Sequence, residues 1–229
     1  MKLSETSKMK GTAYSWSLQA IETCPASAIQ TVQEAKQWSL NIGDLVPACQ
    51  NCYATKGFFN MPSVKAPRSE NKQSWQKADF VPDMIKAISK KKRKHFRLFD
   101  SGDLYHLALA EKWYQIMVAL PEIQFWLPTR MHKFAKFADV IERMQALPNV
   151  VVRFSSDSVN GGIIDGANTS TIIPSEMVLK EKSRDAIIAT SDAYQICPAT
   201  KPGNKPNCKA NSCTACWDKS VKVIAYVEH

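Results

Sequence analysis

Three short runs decide the fold class: Phe96-Arg97-Leu98-Phe99, Ile123-Gln124-Phe125-Trp126-Leu127 and Val150-Val151-Val152-Arg153-Phe154. Each is β-prone, and they begin 27 residues apart, at positions 96, 123 and 150. That interval is the length of a strand plus a crossover helix, so the runs read as parallel βα units. Between them, Leu107, Ala110, Trp113, Tyr114, Met117 and Leu120 share one helical face. Phe134, Phe137, Ala138, Ile141 and Met144 share another, and Pro121 and Pro148 act as stops.

Working outward, Tyr14, Trp16 and Leu18 alternate as a first strand, and Val81, Met84, Ile85 and Ile88 suit a helix with Pro82 in its first turn. Further strands are expected near Ile172, at Ala186-Ile187-Ile188-Ala189 and at Val221–Tyr226. About six strands fall short of the eight of a closed TIM barrel. The expected fold is α/β, a partial (βα)6-type barrel or an open parallel sheet, in a single domain over residues 1–229. It comprises an amino-terminal cysteine loop (19–75), the βα repeats (78–190) and a cysteine-rich segment (197–217); the glycine-containing stretch from Asn160 to Ser170 reads as loop.

At 229 residues, with 45% hydrophobic and 22% charged residues, the composition suits one sizeable core and excludes disordered, collagen-like and coiled-coil classes. No apolar run approaches the roughly 20 residues of a membrane-spanning helix, and the start lacks a secretory signal's apolar stretch, so a cytoplasmic protein is expected. A net charge of +9 favours anionic partners without choosing among them.

The seven cysteines form two groups: Cys24, Cys49 and Cys52, then Cys197, Cys208, Cys213 and Cys216. A reducing compartment and an odd count argue against disulfides and for metal. Cys49-x2-Cys52 lets two thiolates reach one ion or cluster, with Cys24 folding back as a third. The later four satisfy a tetrahedral zinc ion or a closed cubane, whereas the earlier three would leave one iron of a [4Fe-4S] cluster open. A rival partition joins Cys49, Cys52, Cys213 and Cys216 in one zinc ribbon; spacing alone does not separate the two. The segment from Cys197 to Lys222 holds Pro198, Pro202, Pro206 and Gly203 with little apolar material, so bound metal would supply the missing stabilisation.

In parallel βα architectures the working residues sit at the carboxyl ends of strands. Here those ends read Asp100-Ser101-Gly102-Asp103, Thr129-Arg130 and Ser155-Ser156-Asp157. Ser101, Asp103, Arg130 and Asp157 are therefore candidate ligand-binding residues, Arg130 for a carboxylate or phosphate. The plainer reading makes Asp100 or Asp103 a helix N-cap and Asp157 a turn residue.

The order Trp16-Ser17-Leu18, Thr23-Cys24-Pro25, Cys49-x2-Cys52-Tyr53-Ala54-x2-Gly57, Pro62-x-Val64, Asn71, Ser101-Gly102-Asp103-x-Tyr105, Thr129-Arg130, Cys197-Pro198 and Cys213-x2-Cys216-Trp217 resembles the phage and plasmid gene-product-88 family over nearly the whole chain. That family is distantly similar to the radical S-adenosylmethionine (SAM) barrels. The resemblance implies a [4Fe-4S] cluster near Cys24, Cys49 and Cys52, with Ser101-Gly102-Asp103 near a SAM-like ligand. The radical enzymes carry Cys-x3-Cys-x2-Cys in one tight loop; here Cys24 stands far ahead of Cys49, a departure that bears on SAM cleavage rather than on cluster binding.

Other features read more plainly. The basic run Ser89–His95 suits a solvated helix end. Tyr53, Phe58, Phe59 and Trp75 are expected to fill core space rather than stack bases. His106 and His132 suit capping or packing. No Walker loop, dinucleotide fingerprint, His-Glu-x-x-His helix or serine-nucleophile elbow is present, which leaves hydrolase and kinase readings without support. Two functions follow as expectations: an iron-sulfur protein with a small anionic or aminoacyl ligand, and a zinc-stapled protein that binds nucleic acid through its lysine-rich carboxyl-terminal segment.

Overall fold

The computed structural model describes residues 1–180 and 194–228; the strand expected at Ala186–Ala189 lies outside them. Among the described residues seven strands run in chain order: β1 (Ala13–Trp16), β2 (His95–Leu98), β3 (Gln124–Thr129), β4 (Val150–Ser155), β5 (Thr169–Ile173), β6 (Gln195–Ile196) and β7 (Val223–Val227). Among the described residues seven α-helices accompany them: α1 (Val32–Trp38), α2 (Pro47–Gln50), α3 (Pro62–Ser74), α4 (Phe80–Ser89), α5 (Leu107–Ala119), α6 (Ala138–Ala146) and α7 (Ser175–Lys180). The strands form one sheet in the order β1-β2-β3-β4-β5-β7-β6. Every pairing is parallel. β1 and β6 lie at its two edges.

The expected βα repeat is present, with shifted details. α5 buries Leu109, Ala110, Trp113, Ile116 and Met117, while Leu107 is exposed. The shift follows from His106, whose Nδ1 accepts the Ala108 N–H at 3.2 Å and so places Leu107 in the first turn. α6 begins only at Ala138, because residues 131–137 form two 3-10 turns. Strand β5 takes in Thr169 and Ser170, which shortens the expected loop.

The two faces of the sheet are covered differently. On one, Trp16, Phe96, Leu98, Phe125, Leu127, Val150 and Val152 pack against Phe80 and Met84 of α4, Trp113 and Met117 of α5, and Ile141 and Met144 of α6. Trp16 is the hub, with ring centroids 5.4 Å from Trp113, 5.7 Å from Phe80 and 5.9 Å from Phe99. A parallel sheet needs both faces out of water, and among the described residues no α-helix packs in the cluster on the second face. Instead Met9, Cys216 and Trp217 lie on Ala13, Trp126 and Ile224.

A cation fastens this second cover. Arg153 of β4 is fully buried. Its Nε donates to the Cys216 carbonyl at 3.1 Å, Nη1 to Val221 at 2.8 Å, and Nη2 to Ala215 at 3.0 Å and Asp218 at 2.8 Å. Trp217 adds an indole N–H bond to the Phe96 carbonyl at 2.9 Å. Lys219 closes the far side by donating to the carbonyls of Gln145 and Leu147 at the end of α6. Arg153→Leu strips the carbonyls of Ala215, Cys216, Asp218 and Val221 of their donor and should cost about 3 kcal/mol or more. Denaturant unfolding checks this: the midpoint should fall sharply, with near-ultraviolet signals of Trp126 and Trp217 lost first.

Candidate metal and ligand site

The connection after β1 carries all three early cysteines. Cys24 precedes a 3-10 turn at Pro25–Ser27, Cys49 lies in α2, and Cys52 precedes a 3-10 turn at Tyr53–Thr55. A capping box fixes α1 between them: the Thr31 hydroxyl accepts the Glu34 N–H, and the Glu34 carboxylate accepts the Thr31 N–H. The Ala48 N–H donates to the Asp157 carbonyl at 2.9 Å, which pins α2 to the end of β4.

These three thiols lie within electrostatic reach of one another. Cys24 is close enough to feel the charges of Cys49 and Cys52, and Cys49 that of Cys52. Burial, then the carboxylate of Asp103, pushes the Cys24 thiol up to about 12. Burial also raises Cys49, opposed by Arg130. The other four make a second group: Cys208 feels Cys197 and Cys213, and Cys216 feels Cys197. Burial drives Cys208 up to about 11 and Cys216 up to about 12, while Arg97 pulls both down and Arg153 pulls Cys216 down. All seven are free cysteines. Among the described residues, no three His, Cys, Asp or Glu side chains stand as a cluster that grips an ion as placed.

The expected ligand residues divide. Ser101 donates to the Leu18 carbonyl at 2.6 Å and accepts from Arg68 Nε at 2.7 Å. Asp103 is buried, and its carboxylate accepts the Thr129 hydroxyl at 2.6 Å, the Leu104 N–H at 2.7 Å and the Arg130 N–H at 2.8 Å. Burial holds Asp103 above the usual carboxylate range despite those bonds. Both residues spend their polar atoms in tying strand-end loops together; neither Asp100 nor Asp103 caps α5.

Arg130 and Asp157 form an ion pair at 3.0 Å, and Arg130 Nη2 also donates to the Ser156 carbonyl at 2.8 Å. Lys133 bridges Asp157 at 2.9 Å and Glu34 at 2.7 Å. Beside this chain of charges opens a cavity of about 380 Å³, lined by Glu34, Trp38, His132, Lys133, Asp157 and Ser158 among others. His132 stacks on Phe154, centroids 4.1 Å apart, and burial lowers its pKa to about 4, so the imidazole is neutral near pH 7.

Sequence reasoning missed three contributors. Arg97 pairs with buried Asp100 at 3.1 Å and lies over the Trp126 ring at 4.4 Å. Tyr53, next to Cys52, donates its hydroxyl to the Asp100 carbonyl. Arg153 anchors the later cysteines. The partners of Tyr53 and Arg153 are 47 to 68 residues away, and the ring under Arg97 lies on the neighbouring strand, so no local pattern marks those contacts; the Arg97–Asp100 pair, three residues apart, is the one local signal.

A family model described as gene product 88 matches residues 1–219. The chain belongs to the gene product 88 family. No curated protein matches it, and no solved structure matches it. Among the described residues of this gene-product-88 chain, no helix is long and apolar enough to cross a membrane.

One glycine holds the mouth in shape. Gly102 has φ +83°, and a Cβ there would meet Leu18 Cβ at 2.6 Å and Thr23 Oγ1 at 2.7 Å. Gly102→Ala should therefore destabilise the fold by about 1–3 kcal/mol. Thermal unfolding reads the loss, and alkylation of Cys24 should become faster as the Thr23 turn is displaced.

Proposed function

We propose that this protein is a metal-thiolate protein of iron-sulfur type with two separate cysteine centres. Cys24, Cys49 and Cys52 would hold a [4Fe-4S] cluster at the strand-end mouth, and Cys197, Cys208, Cys213 and Cys216 would hold a closed centre under the sheet. The observation that carries the reading is the charge around the later four. Arg153 is buried and, among the described residues, hydrogen-bonds only to carbonyls, and Arg97, acting on Cys208 and Cys216, is paired with Asp100. A buried cation without a counter-anion is costly. Four thiolates on a divalent or cluster centre would bring negative charge close to Arg153, which has no carboxylate within ion-pair distance among the described residues, and would add to what Asp100 already gives Arg97. Soft sulfur donors select zinc or iron-sulfur over hard cations.

The earlier three fit the same chemistry with one fewer donor. Arg130 lies close enough to act on Cys49 and would draw an anionic group toward that thiol. Asp157 and Lys133 fix the guanidinium in place. The ligand class this suits is a small anionic or aminoacyl molecule such as SAM, received beside the cavity at Lys133 and Asp157. A bound cluster supplies one-electron transfer, or a Lewis-acid position at an iron without a cysteine ligand. On this reading the parallel sheet is the partial barrel of the radical-SAM-like enzymes.

Protein purified without oxygen should be brown, with iron and acid-labile sulfide in comparable amounts. The Cys49→Ser/Cys52→Ser double variant should lose one centre's iron and keep the other. Arg130→Ala should keep the full metal content and lose SAM binding by calorimetry. Colourless protein with stoichiometric zinc would replace the clusters with structural staples, and metal-free, fully folded protein would overturn the proposal.

A further inference from the structure

The aromatic side chains beside the early cysteines are not where core residues belong. Trp75 is buried as expected, but Phe58 is 80% exposed and Tyr53 is 56% exposed. Two bare rings in one short stretch are unusual for a segment with no partner.

They are also held. The Tyr53 hydroxyl is tied to the Asp100 carbonyl. Its ring packs edge-on against Phe59 at 5.3 Å, and Arg68 braces Phe59 from 4.9 Å while fixed to Ser101 and to the Val64 carbonyl. The exposed face of Tyr53 is thus presented by a rigid stack of Tyr53, Phe59 and Arg68, with Phe58 adjacent.

The charge around the rings has one sign. Residues 45–69 contain Lys56, Lys65 and Arg68 and no Asp or Glu. Lys56 and Lys65 are exposed, and neither pairs with a carboxylate among the described residues; Lys56 donates to Asn51 Oδ1 at 3.1 Å. Fixed aromatic faces flanked by unneutralised cations match one kind of polymer, whose bases present π-faces and whose backbone is anionic. A duplex keeps its bases stacked on each other and offers them to no side chain; a single strand does not. Acidic peptides would satisfy the lysines and leave both rings bare.

We propose that the segment from Tyr53 to Lys65 is a binding platform for single-stranded nucleic acid, in which bases stack on Phe58 and Tyr53 while Lys56 and Lys65 take the phosphates. The strand would then run past Cys52 at the edge of the mouth. This platform is independent of which metal the cysteines hold, and it is distinct from the lysines of the carboxyl-terminal segment.

The test is fluorescence anisotropy with labelled oligo-dT and oligo-rU, using the full chain as purified, over a range of salt. Wild type should bind, more tightly than it binds a duplex of the same length. Phe58→Ala should weaken binding roughly tenfold with unchanged circular dichroism and metal content. Lys56→Glu and Lys65→Glu should each flatten the log–log salt dependence by about 0.7 or more. Lys205→Glu/Lys209→Glu, in the carboxyl-terminal segment, should change little. Unchanged affinity in Phe58→Ala, equal binding to duplex, or loss confined to the Lys205/Lys209 variant would each overturn the proposal. So would the absence of binding at low salt, which would leave the bare rings to a protein partner.

Discussion

A parallel sheet must have both faces covered, and here the cover of the face that carries Trp126 and Ile224 hangs on one buried guanidinium. Arg153 gathers the carbonyls of Ala215, Cys216, Asp218 and Val221 around itself. A segment rich in proline and lysine, with little apolar surface of its own, is thereby folded against Trp126 and Ile224. The same contact sets where Cys216 stands. Carbonyl dipoles satisfy the guanidinium's hydrogen bonds but not its charge, and the Cys216 thiol is within electrostatic reach of it.

The mouth of the sheet is built on the opposite principle. Its charges are already paired: Arg130 with Asp157, Lys133 with Asp157 and Glu34. Its carboxylate at Asp103 is spent on three donors. These bonds fix the side chains of the mouth with their charges already met inside the protein. Between mouth and inner face, Tyr53, Asp100 and Arg97 form a continuous polar link from the neighbour of Cys52 toward Cys208 and Cys216.

Much of the scaffold was legible because hydrophobic periodicity records what faces a core. The 27-residue spacing of three β-prone runs was enough for the βα repeat, and polar strand ends marked the mouth. What escaped has physical reasons. Helix α3 has Pro67 inside it and buries Arg68, Asn71 and Ser74, so no apolar stripe announces it. Phe134 and Phe137 share a helical face in sequence, yet 3-10 turns tighten that stretch before α6 starts. Arg153 reads as one polar residue in a valine-rich strand; its role lies in carbonyls that sequence cannot point to. The cysteines were visible at once, and their three-plus-four grouping in sequence is matched by which thiols lie within electrostatic reach of one another, Cys24 with Cys49 and Cys52, and Cys197 with Cys208, Cys213 and Cys216.

The central claim is that the later four cysteines are metal-bound thiolates whose charge offsets the guanidiniums beneath them. Thermal unfolding of the purified protein before and after metal removal by a strong chelator under reducing conditions tests it most directly. The account predicts a fall in Tm of at least about 10 °C on stripping, reversed when the metal is returned, since site formation and folding of such a segment are one event. An unchanged Tm in fully metal-free protein would contradict it, and Arg153 would then stand on its carbonyl partners alone.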